Sequence, residues 1–166
     1  MFGDGSMIKE DGSTYLDIMH YYQKIYGDAF IDLCERIKGG SIVGISSTGV
    51  NPYLYRPKSS YSMPGSGKCI IEYSMRIYAV TAAEMGVNVN VIVPGITKTL
   101  AWKRFAQAKG MNDKSSLIEG LIDTLVPLKK CTKPRDIGNL IKFLCSDSGN
   151  LVTGTVLPMD GGIHLK

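Results

Sequence analysis

Helical and strand periodicities alternate along this chain, and the alternation predicts an α/β fold: part of a doubly wound parallel sheet covered by helices. Three observations carry that prediction. Apolar residues recur at three- and four-residue steps over Tyr15 to Lys38, from Pro64 to Glu84 and onward from Pro134. Short, largely β-branched runs stand after each helical stretch: Ser41 to Ser47, Val87 to Val93 and Thr155 to Met159. Helix, strand, helix, strand, helix, strand at these lengths requires crossover connections, and crossovers make the strands parallel.

The first helix places Ile18, Tyr22, Ile25, Ala29, Leu33 and Ile37 on one face. Gly39-Gly40 ends it, because glycine takes the left-handed conformation of a helix stop without penalty. Ser41 to Ser47 is a short apolar strand running into a loop. Asn51 to Ser60 has no period and carries Pro52, Arg56, Pro57 and Lys58, so it reads as exposed loop. Pro64 opens the second helix, since its absent N–H is no loss in a first turn. That helix is apolar or small on several faces (Ile70, Ile71, Met75, Ile77, Ala79, Val80, Ala82, Ala83). It is expected to pack both on its own sheet and on another subunit. Leu100 to Leu125 reads as a mixed helical excursion containing Trp102 and Phe105. The third clear helix carries Ile137, Leu140, Ile141, Leu144 and Cys145 on one side. Three strands are only part of a doubly wound sheet, and the first would leave an unpaired edge open to another chain.

A length of 166 residues, 44% of them hydrophobic and 20% charged, fits one soluble globular domain over 1–166. The 19 basic and 15 acidic residues are scattered, without a Lys/Arg block that could track a phosphate backbone. No nucleic-acid partner is expected. No run reaches 18 apolar residues, so no membrane helix is expected. Residues 1–14 lack a charged n-region and an apolar h-region, unlike a secretory signal. Met1 reads as an internal methionine, of a truncated product or a shortened gene model, with a genuine half-length subunit as the alternative. Cys34, Cys69, Cys131 and Cys145 form no CxxC pair, and as reduced thiols in a cytoplasmic protein they would fill core. His20 and His164 lack neighbours suggestive of a metal site, and no metal is expected.

Lys68 stands 22 residues before Asn90, in a stretch that continues into Val93-Pro94-Gly95-Ile96-Thr97-Lys98-Thr99. The chain then closes on Thr153-Gly154 and Asp160-Gly161-Gly162. In that order and spacing the motifs resemble the second half of a short-chain dehydrogenase/reductase, over Tyr15 to Leu165. The resemblance implies the C-terminal strands and helices of a Rossmann-like fold, here a single truncated domain. It implies an oxidoreductase that passes hydride between NAD or NADP and a carbonyl/alcohol substrate. Ser47 falls where the family's serine meets the substrate oxygen. Lys68 falls where its lysine holds ribose hydroxyls and lowers the pKa of a neighbouring tyrosine. A free phenol titrates near ~10, so an adjacent ammonium brings proton exchange closer to neutrality. Pro94, Gly95, Ile96 and Thr99 match the loop laid along the cofactor, and Asp160-Gly161-Gly162 the turn that closes the sheet. Residues 64–84 match a helix through which family members pair, so a second copy or a full-length relative is the implied partner. Without the family, Ser47 would be a serine bonding local backbone, and Lys68 a surface lysine on a first helical turn.

Two departures make the active site divergent. Pro64 occupies the position four before the lysine, where the family keeps its tyrosine. Proline has no acidic proton, and loss of a general acid typically costs ~10²–10⁴ in rate. Tyr61, seven residues before Lys68, is the candidate substitute, with Tyr53 and Tyr55 behind it; loop tyrosines without a chemical role are the plainer reading. Lys24 stands near the position of the family's relay asparagine. No GxGxxG turn is present to seat a pyrophosphate, so the chain offers the nicotinamide end alone. Pro64-Gly-Ser-Gly-Lys68 is no phosphate-binding loop, because Ser62 and Cys69 replace its first glycine and its hydroxyl residue and no strand precedes it. Two functions stay open: the oxidoreductase, and a catalytically silent subunit that pairs with an active dehydrogenase. Trp102 and Phe105 lie where the family places its substrate lid. The substrate and the choice of NAD or NADP are not legible in these residues.

Overall fold

A computed structural model describes residues 29–37, 39–50, 55, 62–99 and 114–166, the side chains of 62–64 and 114–116 excepted. Helix α1 (29–37) is followed by β1 (Ser41–Ile45), α2 (Ser62–Glu84), β2 (Asn88–Pro94), α3 (Lys114–Leu125), α4 (Pro134–Leu144) and β3 (Val156–Met159). Short 3₁₀ turns cover Asp147–Gly149 and Ile163–Leu165. Among the described residues the sheet is parallel, as the alternating periodicities require, and its strand order is β1-β2-β3. Ser41 pairs with Asn88 and Ile45 with Ile92; Val91 pairs with Val156 and Pro94 with Met159.

β2 is central, so both of its faces are covered. Val89, Val91, Ile92 and Val93 are all within 1% of complete burial, which is why the run reads as continuously apolar. Asn90 is equally buried, and every polar atom it carries is used. Its Nδ2 donates to the Val152 carbonyl (2.6 Å), while Oδ1 accepts from Thr155 N (3.2 Å) and Oγ1 (2.7 Å). The side chain thus steers the chain onto β2 just before the β3 ladder begins.

Alternation along β1 separates two helical layers. Ile42 packs among Cys34 of α1, Ala79 and Ala82 of α2, Val87 and Val89. Gly44 faces α2 so closely that a Cβ would lie 3.3 Å from Ile71 and from Met75. Ser41 points the other way and donates to the Leu144 carbonyl at the end of α4 (3.2 Å). Phe30 of α1 stacks on Tyr78 of α2 at 4.9 Å. Gly39, at φ +73°, stops α1 where the sequence placed the stop. Helix α2 begins two residues earlier than the proline suggested, with Pro64 still inside its first turn. Its other side is bare: Ile70, Tyr73, Ile77 and Val80 are 64%, 70%, 44% and 69% exposed at helical spacing. The core-filling expectation for the cysteines holds for Cys34 but not for Cys69 and Cys145, which are exposed.

Candidate active site at the ends of the strands

Parallel strands all deliver their C-terminal ends to one edge of the sheet, and that edge is where open α/β sheets hold ligands. Here it gathers Ser46 and Ser47 after β1, Pro94 and Gly95 after β2, and Asp160 after β3. Lys68, half-buried in the second turn of α2, donates from Nζ to the Ile45 carbonyl at 2.7 Å. One turn further along α2, the Glu72 carboxylate accepts the Ser46 hydroxyl in a short bond. Glu72 is 5% exposed and Ser46 4%. Two side chains four apart on a helix therefore grip two consecutive residues of the strand. Ser46 N also donates to Ile92 O (2.8 Å), which carries the ladder past the end of β1. Ser47, half-buried, follows directly.

The segment after β2 is anchored from several sides. Gly95 N donates to Met159 O (3.0 Å), and a Cβ on Gly95 would sit 2.6 Å from the Cα of Asp160. Close backbone approach is thus a physical reason for glycine here. Ile96 turns its side chain toward Ile118, Ile122 and Val126, and its carbonyl accepts from Thr132 N (2.9 Å) and the Cys131 thiol (3.0 Å). Thr97 Oγ1 donates to Gly95 O (3.0 Å), while Thr99 is exposed.

The loop reading of Asn51 to Ser60 needs correction at Tyr55. That residue is only 6% exposed, and its hydroxyl donates to Asp160 Oδ2 at 2.7 Å, across 105 residues of sequence. Asp160, 2% exposed, also accepts from Gly162 N (2.9 Å), His164 N (3.0 Å) and His164 Nδ1 (3.0 Å). Burial opposes ionisation of this carboxyl, but the bonds from Tyr55, His164 and Gly162 outweigh it and hold its pKa below the usual aspartate range. Burial, the bond to Asp160 and the charges of Asp160 and Glu72 push the Tyr55 phenol far above the ordinary tyrosine value. Tyr55 is accordingly a fixed structural donor rather than a poised acid.

The sequence-predicted residues thus divide. Ser47, Lys68, Pro94, Gly95, Ile96 and Thr99 all stand on the segments that leave this one edge of the sheet. Tyr61, Tyr53, Lys24, His20, Trp102 and Phe105 lie outside the described residues. Glu72, Ser46, the burial of Tyr55 and the acceptor role of Asp160 were missed from the sequence, which offered Tyr55 only as a substitute acid. Glu72 alone carried a signal, as the single acid in the apolar run Cys69-Ile-Ile-Glu-Tyr-Ser-Met75. Among the described residues no cluster of His, Cys, Asp and Glu could hold a metal.

The fold overlays on a short chain dehydrogenase family protein from Francisella tularensis subsp. tularensis SCHU S4, with a TM-score of 0.70 and 24% identity, over 87% of this chain and 59% of that one. A family model described as enoyl-(acyl carrier protein) reductase matches residues 28–164. The chain belongs to the short-chain dehydrogenase/reductase family. This family member is 31% identical over 128 residues to the Bacillus subtilis enoyl-[acyl-carrier-protein] reductase [NADH] FabI, covering 77% of itself and 45% of FabI. It also resembles the structure of ElxO with NADP bound (TM-score 0.63, 27% identity, 82% of this chain, 51% of that one). The chain spans about half the length of the relatives it matches.

Proposed function

We propose that this chain forms the substrate-side half of an NAD(P)-dependent oxidoreductase that moves hydride between a nicotinamide and a carbonyl/alcohol pair. The observation that carries the reading is the placement of Lys68: a half-buried ammonium at the C-terminal edge of the sheet, bonded to the carbonyl next to Ser46-Ser47. An ammonium has three N–H groups; among the described residues one is used, on Ile45, and the other two are assigned to ribose hydroxyl oxygens. The exposed Thr99 adds a hydroxyl on the neighbouring segment. These donors fit the nicotinamide-ribose end of a dinucleotide. The sequence holds no glycine-rich turn for the pyrophosphate, so affinity for the whole cofactor is weak in this chain alone.

When bound, the nicotinamide supplies or accepts the hydride. The chain's own groups handle the substrate oxygen. Ser47 donates a hydrogen bond to it. Tyr61 exchanges the proton, with Lys68 favouring its phenolate. Tyr61 stands seven residues before Lys68 in the sequence, directly ahead of α2, which starts at Ser62. An enoyl thioester, the substrate type named in the family model, would present the same carbonyl oxygen as charge develops on it.

The bare stripe of α2 is the proposed contact with a second copy or with a full-length relative. Ile70, Tyr73, Ile77 and Val80 form a continuous apolar row that the chain's own sheet does not cover. Among the described residues no helix is long and apolar enough to cross a membrane. The exposed Cys69 and Cys145 suit a reducing compartment, and we place the protein in the cytoplasm.

Fluorescence titration of NADH and NADPH against the chain and its Lys68→Ala variant tests the reading. Roughly millimolar binding that Lys68→Ala removes is expected. Binding equally strong in the variant would refute it.

A further inference from the structure

Glu72 is the one acid in the run from Cys69 to Met75 on α2, and it is turned inward, only 5% exposed. Burying a carboxylate costs free energy unless it is paired and hydrogen-bonded. Among the described residues no cation pairs with it; its partner is the Ser46 hydroxyl, itself buried. A well-packed apolar side chain of similar volume serves a protein core as well or better. Stability therefore does not account for an acid at this place. What the acid holds in position does.

It holds the junction of Ile45 and Ser46, which is fixed from three directions. Ser46 N donates to Ile92 O of β2 (2.8 Å), Ser46 Oγ donates to Glu72, and the Ile45 carbonyl accepts from Lys68 Nζ (2.7 Å). One residue earlier, Gly44 lies so close to Ile71 and Met75 that a Cβ would be 3.3 Å from each. That apolar contact sets how near α2 lies to β1. It is non-directional, however, and does not fix how the helix slides along the strand. The two polar bonds, made by side chains four apart on α2, do fix it. We propose that Glu72 is a positioning residue for Lys68: by holding Ser46 it fixes the carbonyl on which the Lys68 ammonium rests, and so directs that ammonium at the edge of the sheet. Ser47 lies one Cα step beyond, ~3.8 Å, and is placed by the same bond. The functional meaning rests on the reading that Lys68 meets the nicotinamide ribose.

The selective test exchanges the polar pair for an apolar one, Ser46→Ala with Glu72→Met, in the full chain. Glu72→Gln is the conservative variant, because its amide oxygen still accepts the Ser46 hydroxyl. Acetylation by acetic anhydride, read by mass spectrometry at each lysine, reports how firmly Lys68 is held, with no cofactor present. Lys129 and Lys166, each bonded to a carbonyl at the end of α3, are the internal references. In the double variant Lys68 is expected to label about five- to tenfold faster, while the references and the urea midpoint stay near wild type. Glu72→Gln should label Lys68 at the wild-type rate. Labelling of Lys68 unchanged in the double variant, or equally fast in Glu72→Gln, would overturn the proposal. So would acceleration of all three lysines together, which marks Glu72 as a general stability residue. The labelling is read without NADH, so loss of the Lys68→Ala effect on NADH binding would sink the functional reading and leave the placement of Lys68 to be decided separately.

Discussion

Gly95→Ala is the sharpest test of how the strand ends are assembled. The added methyl would stand 2.6 Å from Asp160 Cα, 3.0 Å from its Cβ and 3.1 Å from its carbonyl carbon. Carbon atoms rest comfortably at about 3.5–4.0 Å, so relief needs a movement of roughly 1 Å. Two of the three obstacles are backbone, and no rotamer change clears them. The movement must part the end of β2 from the end of β3. That stretches the Gly95 N to Met159 O bond, now 3.0 Å, beyond hydrogen-bonding distance. Overpacking typically costs ~1–3 kcal/mol and a lost backbone bond about 1 kcal/mol. A total near ~3 kcal/mol corresponds to a Tm lower by about 6–12 °C for a protein of this size. Urea and thermal unfolding followed by circular dichroism measure both quantities. Gly138→Ala on α4 is the control: a Cβ there meets nothing within 4 Å, and the change should stabilise by roughly 0.5–1 kcal/mol. A Gly95→Ala protein within about 0.5 kcal/mol of wild type would refute the argument, and the tight junction of β2 and β3 with it.

Three further outcomes follow from the same geometry. Ser46→Ala strands the buried Glu72 carboxylate without its donor and should cost about 1–3 kcal/mol in urea unfolding; Glu72→Gln, whose amide oxygen still accepts, should cost less, and the reverse ranking would contradict the pairing. Stability should also depend on pH at both extremes. The depressed pKa of Asp160 means a contribution that is present above about pH 4 and lost as pH falls through the folded-state value. The raised pKa of Tyr55 means a contribution that is complete below about pH 10 and declines above it by about 1.4 kcal/mol per pH unit. Tyr55→Phe should flatten the alkaline decline relative to wild type; the comparison separates Tyr55 from Cys34, whose thiol is also raised by burial. On α2, Val80→Glu and Tyr73→Glu should shift light-scattering mass toward the monomer with unfolding midpoints nearly unchanged, since both side chains are about 70% exposed in the single chain. An unchanged mass in both variants would count against the stripe as a contact.

Periodicity and punctuation alone were enough to place β2, the stops at Gly39 and Pro94, the start of α4 at Pro134, and the parallel order of the sheet. Each depends on neighbours in sequence: a β-branched run, a glycine able to adopt positive φ, a proline in a first turn. The residues that the motif spacing singled out share one edge for a related reason. Lys68, Ser47 and the residues after β2 are attached to elements whose ends a parallel sheet must bring to one edge. Local pattern could not reveal the burial of Tyr55 inside a polar loop, the grip of Glu72 on Ser46, or the use of Asp160 as a four-donor acceptor. The Ser46–Glu72 and Tyr55–Asp160 bonds join residues 26 and 105 positions apart, and their stability comes from desolvation, which exists only once the helices have closed over the sheet. A buried hydroxyl or carboxylate keeps its proton or its charge according to what faces it, and the facing groups are chosen by packing.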